Sequence, residues 1–109
     1  MSDLLAPFSK WNGTTDENNP DIKEIKVVET ETFSTEYSTC VKVQEKKDGK
    51  WTDAVLSLKS HNSVNAKLLN WWTRGLERGT IRKGIVFKIS SWLRPSKNGH
   101  TIRDYRIEG

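Results

Sequence analysis

Two places in this 109-residue chain set an aromatic ring among cations at strand spacing. In residues 84–95, GIVFKISSWLRP, Lys88, Ser90, Trp92 and Arg94 take alternate positions. An extended backbone therefore puts an indole between cations on one face. Lys97 follows in the next turn. Trp51, next to Lys50, opens a second extended run and faces Lys42 or Gln44 across a hairpin. Rings stack on bases while Lys and Arg neutralise phosphates, so both places have the chemistry of a surface for an unpaired polynucleotide. For Trp51 two readings stand: a stacking platform, or a ring folded over the end of its hairpin.

The elements that must position these rings are read from periodicity. Residues 22–32 mix Ile, Val and Thr with Glu and Lys, as in a first strand with one solvated face. The adjacent pair Val27 and Val28 marks a bulge, and residues 33–36 form the first loop. Residues 37–46 alternate as a second strand, with Thr39, Val41 and Val43 inward and Ser38, Cys40, Lys42 and Gln44 outward. Asp48-Gly49 supplies a tight hairpin turn. The third strand, 51–59, then turns Ala54, Leu56 and Leu58 inward.

Residues 60–72, SHNSVNAKLLNWW, have helical period and present Asn65, Leu68, Leu69, Trp72 and Leu76 as one stripe. The helix starts at Asn62 or Ser63, and Gly75 and Gly79 compete to end it. Trp72 reads as a core plug, whereas Trp71 shares a half-exposed flank with Lys67, Arg74 and Arg78. In the fourth strand Ile85, Phe87, Ile89 and Leu93 face inward. Pro95 to Gly99 make the last turn before a final strand over 101–108. Ile102 differs in parity from Tyr105 and Ile107, which leaves the facing of Tyr105 open between core and platform.

Composition narrows the classes. The length fits one domain, 22–109, preceded by an arm and loop, 1–21. Leu4, Leu5, Phe8 and Trp11 are too apolar for a solvated tail, so the arm packs along the domain or orders on a partner. No apolar run reaches membrane-spanning length, and the N-terminus lacks the basic-then-apolar order of a secretory signal. The expected location is cytoplasmic, with no membrane partner. A lone Cys40 and two separated histidines, His61 and His100, exclude a disulfide within the chain and offer no zinc spacing. No metal, no cofactor and no catalytic residues are expected, and the chain is read as a non-enzyme. Charge divides sharply: residues 1–60 hold 8 Lys and no Arg against 11 acids, net −3, while residues 61–109 hold 10 Lys and Arg against 3 acids, net +7. Such asymmetry points to an anionic partner met by the C-terminal half.

The order strand, strand, strand, helix, strand, strand over residues 22–108 resembles the OB-fold, a mainly β, five-stranded Greek-key barrel with one helix between strands three and four. The resemblance lies in element order. It implies a ligand crossing strands two and three, gripped by the loops joining strands one to two and four to five. On this sequence that site comprises Phe33, Tyr37, Lys42, Trp51, Trp92, Arg94 and Lys97, with Lys88 extending the face. Glu36 departs from it as an acid in the first loop. The expected partner is single-stranded nucleic acid, DNA favoured over RNA, bound with low sequence specificity. The alternative is a protein-interaction or homo-oligomerising subunit that docks through the N-terminal arm.

Overall fold

The Val-, Ile- and Thr-rich runs form six antiparallel strands around one helix: β1 Asp21–Val27, β2 Phe33–Ser34, β3 Ser38–Lys47, β4 Lys50–Ser60, α1 Lys67–Arg78, β5 Val86–Pro95 and β6 Thr101–Glu108. The computed structural model describes residues 11–95, 99 and 101–108. β1 is central and pairs with β3 on one edge, from Ile25↔Glu45 to Val27↔Val43. On its other edge it pairs with β5, from Asp21↔Ser91 to Lys26↔Val86. β4 and β6 complete the path β4-β3-β1-β5-β6, and the two-residue β2 lies against β3 beyond β1. The hairpin between β3 and β4 turns on Asp48 and Gly49, both at positive φ (51° and 78°). This geometry is what a two-residue turn between right-twisted strands demands.

Three expectations about the sheet change. The sheet is mainly antiparallel β as expected, but it is not closed and has six strands. No ladder joins β4 to β6 among the described residues. Side chains cross that seam instead, with Asn65 Nδ2 donating to the Arg103 carbonyl at 2.7 Å and Lys67 Nζ meeting Asp104 Oδ1 at 2.7 Å. The first strand stops at Val27 and does not continue to residue 32. Val27 gives its N–H to the Ile85 carbonyl and accepts from Gly84 N–H, following β5, while Glu29 keeps only a 3.4 Å bond to the Lys42 carbonyl. The expected loop at 33–36 is therefore part strand, because Phe33 and Ser34 rejoin β3 opposite Cys40 and Thr39.

The helix starts four residues or more later than its period implied. Ser63 Oγ and Asn65 Oδ1 accept from the Asn65 and Lys67 backbone N–H groups, at 3.0 and 3.2 Å. These local bonds hold residues 63–66 in turns that compete with helix. At the other end α1 runs through Gly75 and stops at Gly79, whose φ of 76° needs no Cβ. The stripe reaches the sheet through Leu68 and Trp72, both essentially unexposed, but Leu76 is 38% exposed and Asn65 precedes the helix. Trp71 is half-buried, packed edge-on to Phe87 at 4.6 Å.

Behind the sheet, Ile25, Val27, Val41, Val43, Ala54, Leu56, Leu58, Phe87 and Ile89 pack with Leu68, Trp72 and Ile81 into one core. The β3–β4 register shifts between Thr39 and Cys40, with Leu58 of β4 as the extra residue, and Ser38 and Cys40, 3.0 Å apart on the outward parity, are buried although they lie outside that core. Gly75 is fixed by close approach, since a Cβ there would lie 2.5 Å from Ile81 Cδ1 and 2.6 Å from its Cγ1. Ile81 is 5% exposed and cannot swing away freely. Gly75→Ala gains about 1 kcal/mol of helix propensity but overpacks a filled site at roughly 1–3 kcal/mol. The expected result is a lowered thermal midpoint, and a midpoint raised above wild type would show that Ile81 yields.

Candidate functional site

The outward residues of the sheet are set by the register. Lys46 pairs with Trp51, Gln44 with both Asp53 and Lys26, and Lys26 with Val86. The indole of Trp51 consequently lies half-buried between two ammonium groups, with Lys26 Nζ 4.4 Å and Lys46 Nζ 5.8 Å from its ring centroid. Lys42 is exposed farther along the same face of β3, Lys47 and Lys50 are exposed on the opposite parity at the hairpin end, and none of the three forms an ion pair among the described residues. The nearby acids are held by polar neighbours: Glu24 lies 3.9 Å from Lys46, and Asp53 accepts from Gln44 at 3.1 Å. An exposed cation–π contact contributes about 0.5–1 kcal/mol, less than the roughly 1–3 kcal/mol of base stacking. A base can therefore take the place of Lys26 on the ring, which frees that ammonium for a phosphate.

The other expected ridge is not open. Trp92 has the outward parity, but its ring is 5% exposed, with the Arg106 guanidinium 5.5 Å from its centroid. Ser90 and Ser91 beside it are buried as well. Arg94 is held by Asp104 at 3.0 Å, and Lys88 lies across from Glu24 on one side and Glu108 on the other. Lys97 and His100 lie outside the described residues, as do Leu4, Leu5 and Phe8 of the arm. Trp92 is thus a covered residue on the outside of β5, not a platform, and the alternating Lys-Ser-Trp-Arg pattern is largely consumed within the fold. Of the residues at the first loop, Phe33 is half-buried and shares a shallow hollow with Lys42, Glu29 and Glu31, while Tyr37 is 70% exposed at the turn into β3. The carboxylates of Glu29 and Glu31 give that loop more negative character than Glu36 alone implied.

A second polar cluster sits at the seam between β4 and β6. A cleft of about 340 Å³ is lined there by Trp11, Lys59, Asn65, Arg103 and Tyr105 among others. Trp11 meets Tyr105 edge-on at 6.0 Å, with Lys23 Nζ at 5.1 Å and Arg103 Cζ at 6.0 Å from its ring. Tyr105 is therefore neither plain core nor platform. Burial pushes its phenol above the ordinary tyrosine range against the pull of Arg103, so it stays protonated at neutral pH. The cations of this cluster are already engaged: Lys23 pairs with Glu45 at 2.8 Å, Lys59 donates to the Ser60 and Ser63 carbonyls, and Arg103 donates to Ser91 Oγ and the Asn12 carbonyl.

Asp104 is the electrostatic tie of that seam. Burial raises its carboxyl pKa, but hydrogen bonds from Lys67, the Tyr105 N–H and Arg94 outweigh this, and it lies below the ordinary aspartate range. A depressed folded-state pKa stabilises the protein above the unfolded value and loses that contribution as pH falls through the folded value. Each partner is about half exposed, so each pair contributes only about 0.2–1 kcal/mol. Urea midpoints for wild type should fall as pH drops below about 4. Asp104→Asn should start lower at neutral pH and show a flatter acid limb, and identical limbs would remove Asp104 from the seam's energetics.

No group of His, Cys, Asp and Glu suited to a metal ion occurs among the described residues, and no helix there is long and apolar enough to cross a membrane. The register explains the residues that spacing missed. A two-residue turn at Asp48-Gly49 places Lys46, not Lys42 or Gln44, beside Trp51, but Lys26 reaches the ring only through the long-range pairing of β1 with β3. Compared with family models, with curated proteins and with solved structures, the chain finds no match in any of the three.

Proposed function

We propose that the protein binds single-stranded nucleic acid on the outward face of β3 and β4, with low sequence specificity and no catalytic step. The observation that supports this is the Trp51 indole bracketed by Lys26 and Lys46 on a face that also exposes Lys42. The reading keeps Tyr37 and Phe33 as ring contacts at the first loop and removes Trp92 from stacking. The path β4-β3-β1-β5-β6 with a helix between β4 and β5 is, in this reading, an OB-fold barrel left open at one seam. A face of this kind grips the sugar-phosphate backbone by charge and the bases by their planes.

The test is a titration of labelled oligo-dT, oligo-rU and duplex DNA at low and moderate salt. Single strands should bind and weaken steeply with salt, by a log–log slope of about 0.7 for each phosphate neutralised, while duplex binds less. Equal binding of duplex would contradict stacking. Absence of any oligonucleotide affinity, together with a concentration-dependent dimer in solution, would favour the protein-docking alternative. Of the arm residues on which that alternative rests, Trp11 is described, and it is packed against Tyr105, Lys23 and Arg103.

A further inference from the structure

We infer that a bound strand leaves the Trp51 face past β1 and continues onto the C-terminal end of α1, where Arg78 and Arg82 contact its phosphates. This rests on the single-strand reading above and adds to it a second contact region and a longer site. Arg74, Arg78, Arg82 and Lys83 are all exposed, and between Lys67 and Lys83 the sole acid is Glu77. Arg74 donates to its own helix at the Asn70 carbonyl, and Lys83 lies 3.7 Å from Glu29. Among the described residues, Arg78 and Arg82 form no ion pair or hydrogen bond through their side chains.

The favourable field at a helix C-terminus accounts for Arg78, but Arg82 and Lys83 lie beyond the Gly79 cap. Their segment is pinned on both sides. Ile81 is buried under Gly75, Ile85 N–H closes a turn on the Arg82 carbonyl at 3.2 Å, and Gly84 N–H bonds the Val27 carbonyl at 2.8 Å. Holding the backbone still lowers the ordering cost of a contact made from it. Val27 directly follows Lys26, the residue over the Trp51 ring, so the pinned turn adjoins the end of the stacking face. Lys42 and Glu29 line one hollow, and Glu29 reaches Lys83, which links the two regions on the β3 side as well. Apart from Glu29, Glu31 and Glu77, cations dominate the route, which is the complementarity a polyanion requires.

The experiment compares oligo-dT of about 6 and about 20 nucleotides, lengths on either side of typical single-fold sites, in wild type, Arg78→Gln/Arg82→Gln and Trp51→Ala. All three proteins are first shown to share a melting transition. The double variant should bind the short strand as wild type does. For the long strand its log–log salt slope should fall by about 1.4, two phosphates' worth. Unchanged long-strand affinity and slope in the double variant, with Trp51→Ala weakened, would overturn the extended path and leave the stacking face standing. Equal weakening at both lengths would overturn it too, as an effect of net charge. Failure of wild type to bind either length would defeat the single-strand reading and this inference with it.

Discussion

Replacing Trp72 by Ala should cost the fold roughly 3–5 kcal/mol, the range for deleting a large buried aromatic. Trp72 is fully buried where α1 meets the sheet and touches the Leu68 side of the core. Its indole Nε1 also donates to the Thr30 carbonyl at 3.2 Å, which ties the irregular stretch between β1 and β2 to the helix. The substitution removes packing and strands that carbonyl together. Against a total stability of about 5–15 kcal/mol, the loss should lower the thermal midpoint by ten degrees or more, on the order of 4 °C per kcal/mol for a chain of this size. Trp72→Phe should recover most of the packing and none of the hydrogen bond. A Trp72→Ala protein that melts within a few degrees of wild type would mean that α1 is not what fastens the core.

Trp51→Ala should instead leave the fold nearly intact and weaken oligonucleotide binding by about 5- to 150-fold, the equivalent of one stacked base at roughly 1–3 kcal/mol. Structurally the substitution gives up two surface cation–π contacts, with Lys26 and Lys46, each of about 0.5–1 kcal/mol. Trp92→Ala should show the opposite profile. Its ring is buried against Arg106, so its loss should appear in stability and not in affinity. Affinity that falls for Trp92→Ala and holds for Trp51→Ala would transfer the site to β5 and refute the face described above.

Local signals carried far. The Asp48-Gly49 turn, the inward set Ala54, Leu56 and Leu58, the inward set Phe87 and Ile89, and Trp72 as a core plug all follow from period and turn chemistry, and all stand in the structure. Pairing between distant strands did not show itself in the sequence. Nothing in residues 28–32 announces that Val27 will turn its backbone to Gly84 and Ile85 and end the strand. The helix starts later than its period implies because Ser63 and Asn65 cap turns as readily as helices, and the bond from Asn65 to Arg103, 38 residues away, is not legible in the local sequence. The site followed the same rule. Parity placed Trp92 on the outer face correctly, but whether that face is open depends on Arg106 and Asp104 across the β5–β6 ladder, whose register alternation alone does not fix. Trp51 was legible as an outward ring, and its two lysine neighbours were legible only as far as the hairpin reached.

The central claim is that bases stack on Trp51. Of the other four tryptophans, Trp72 and Trp92 are buried, Trp71 packs on Phe87 and Trp11 on Tyr105. Quenching of tryptophan fluorescence by an added single strand should therefore arise chiefly at Trp51. The most direct measurement is the oligo-dT titration of Trp51→Tyr, which keeps an aromatic ring for stacking and removes the reporting indole. Followed by anisotropy of a labelled strand, binding should stay within a few-fold of wild type, while most of the tryptophan quenching is lost. Quenching that persists undiminished in Trp51→Tyr would place the bases on another ring and contradict the account.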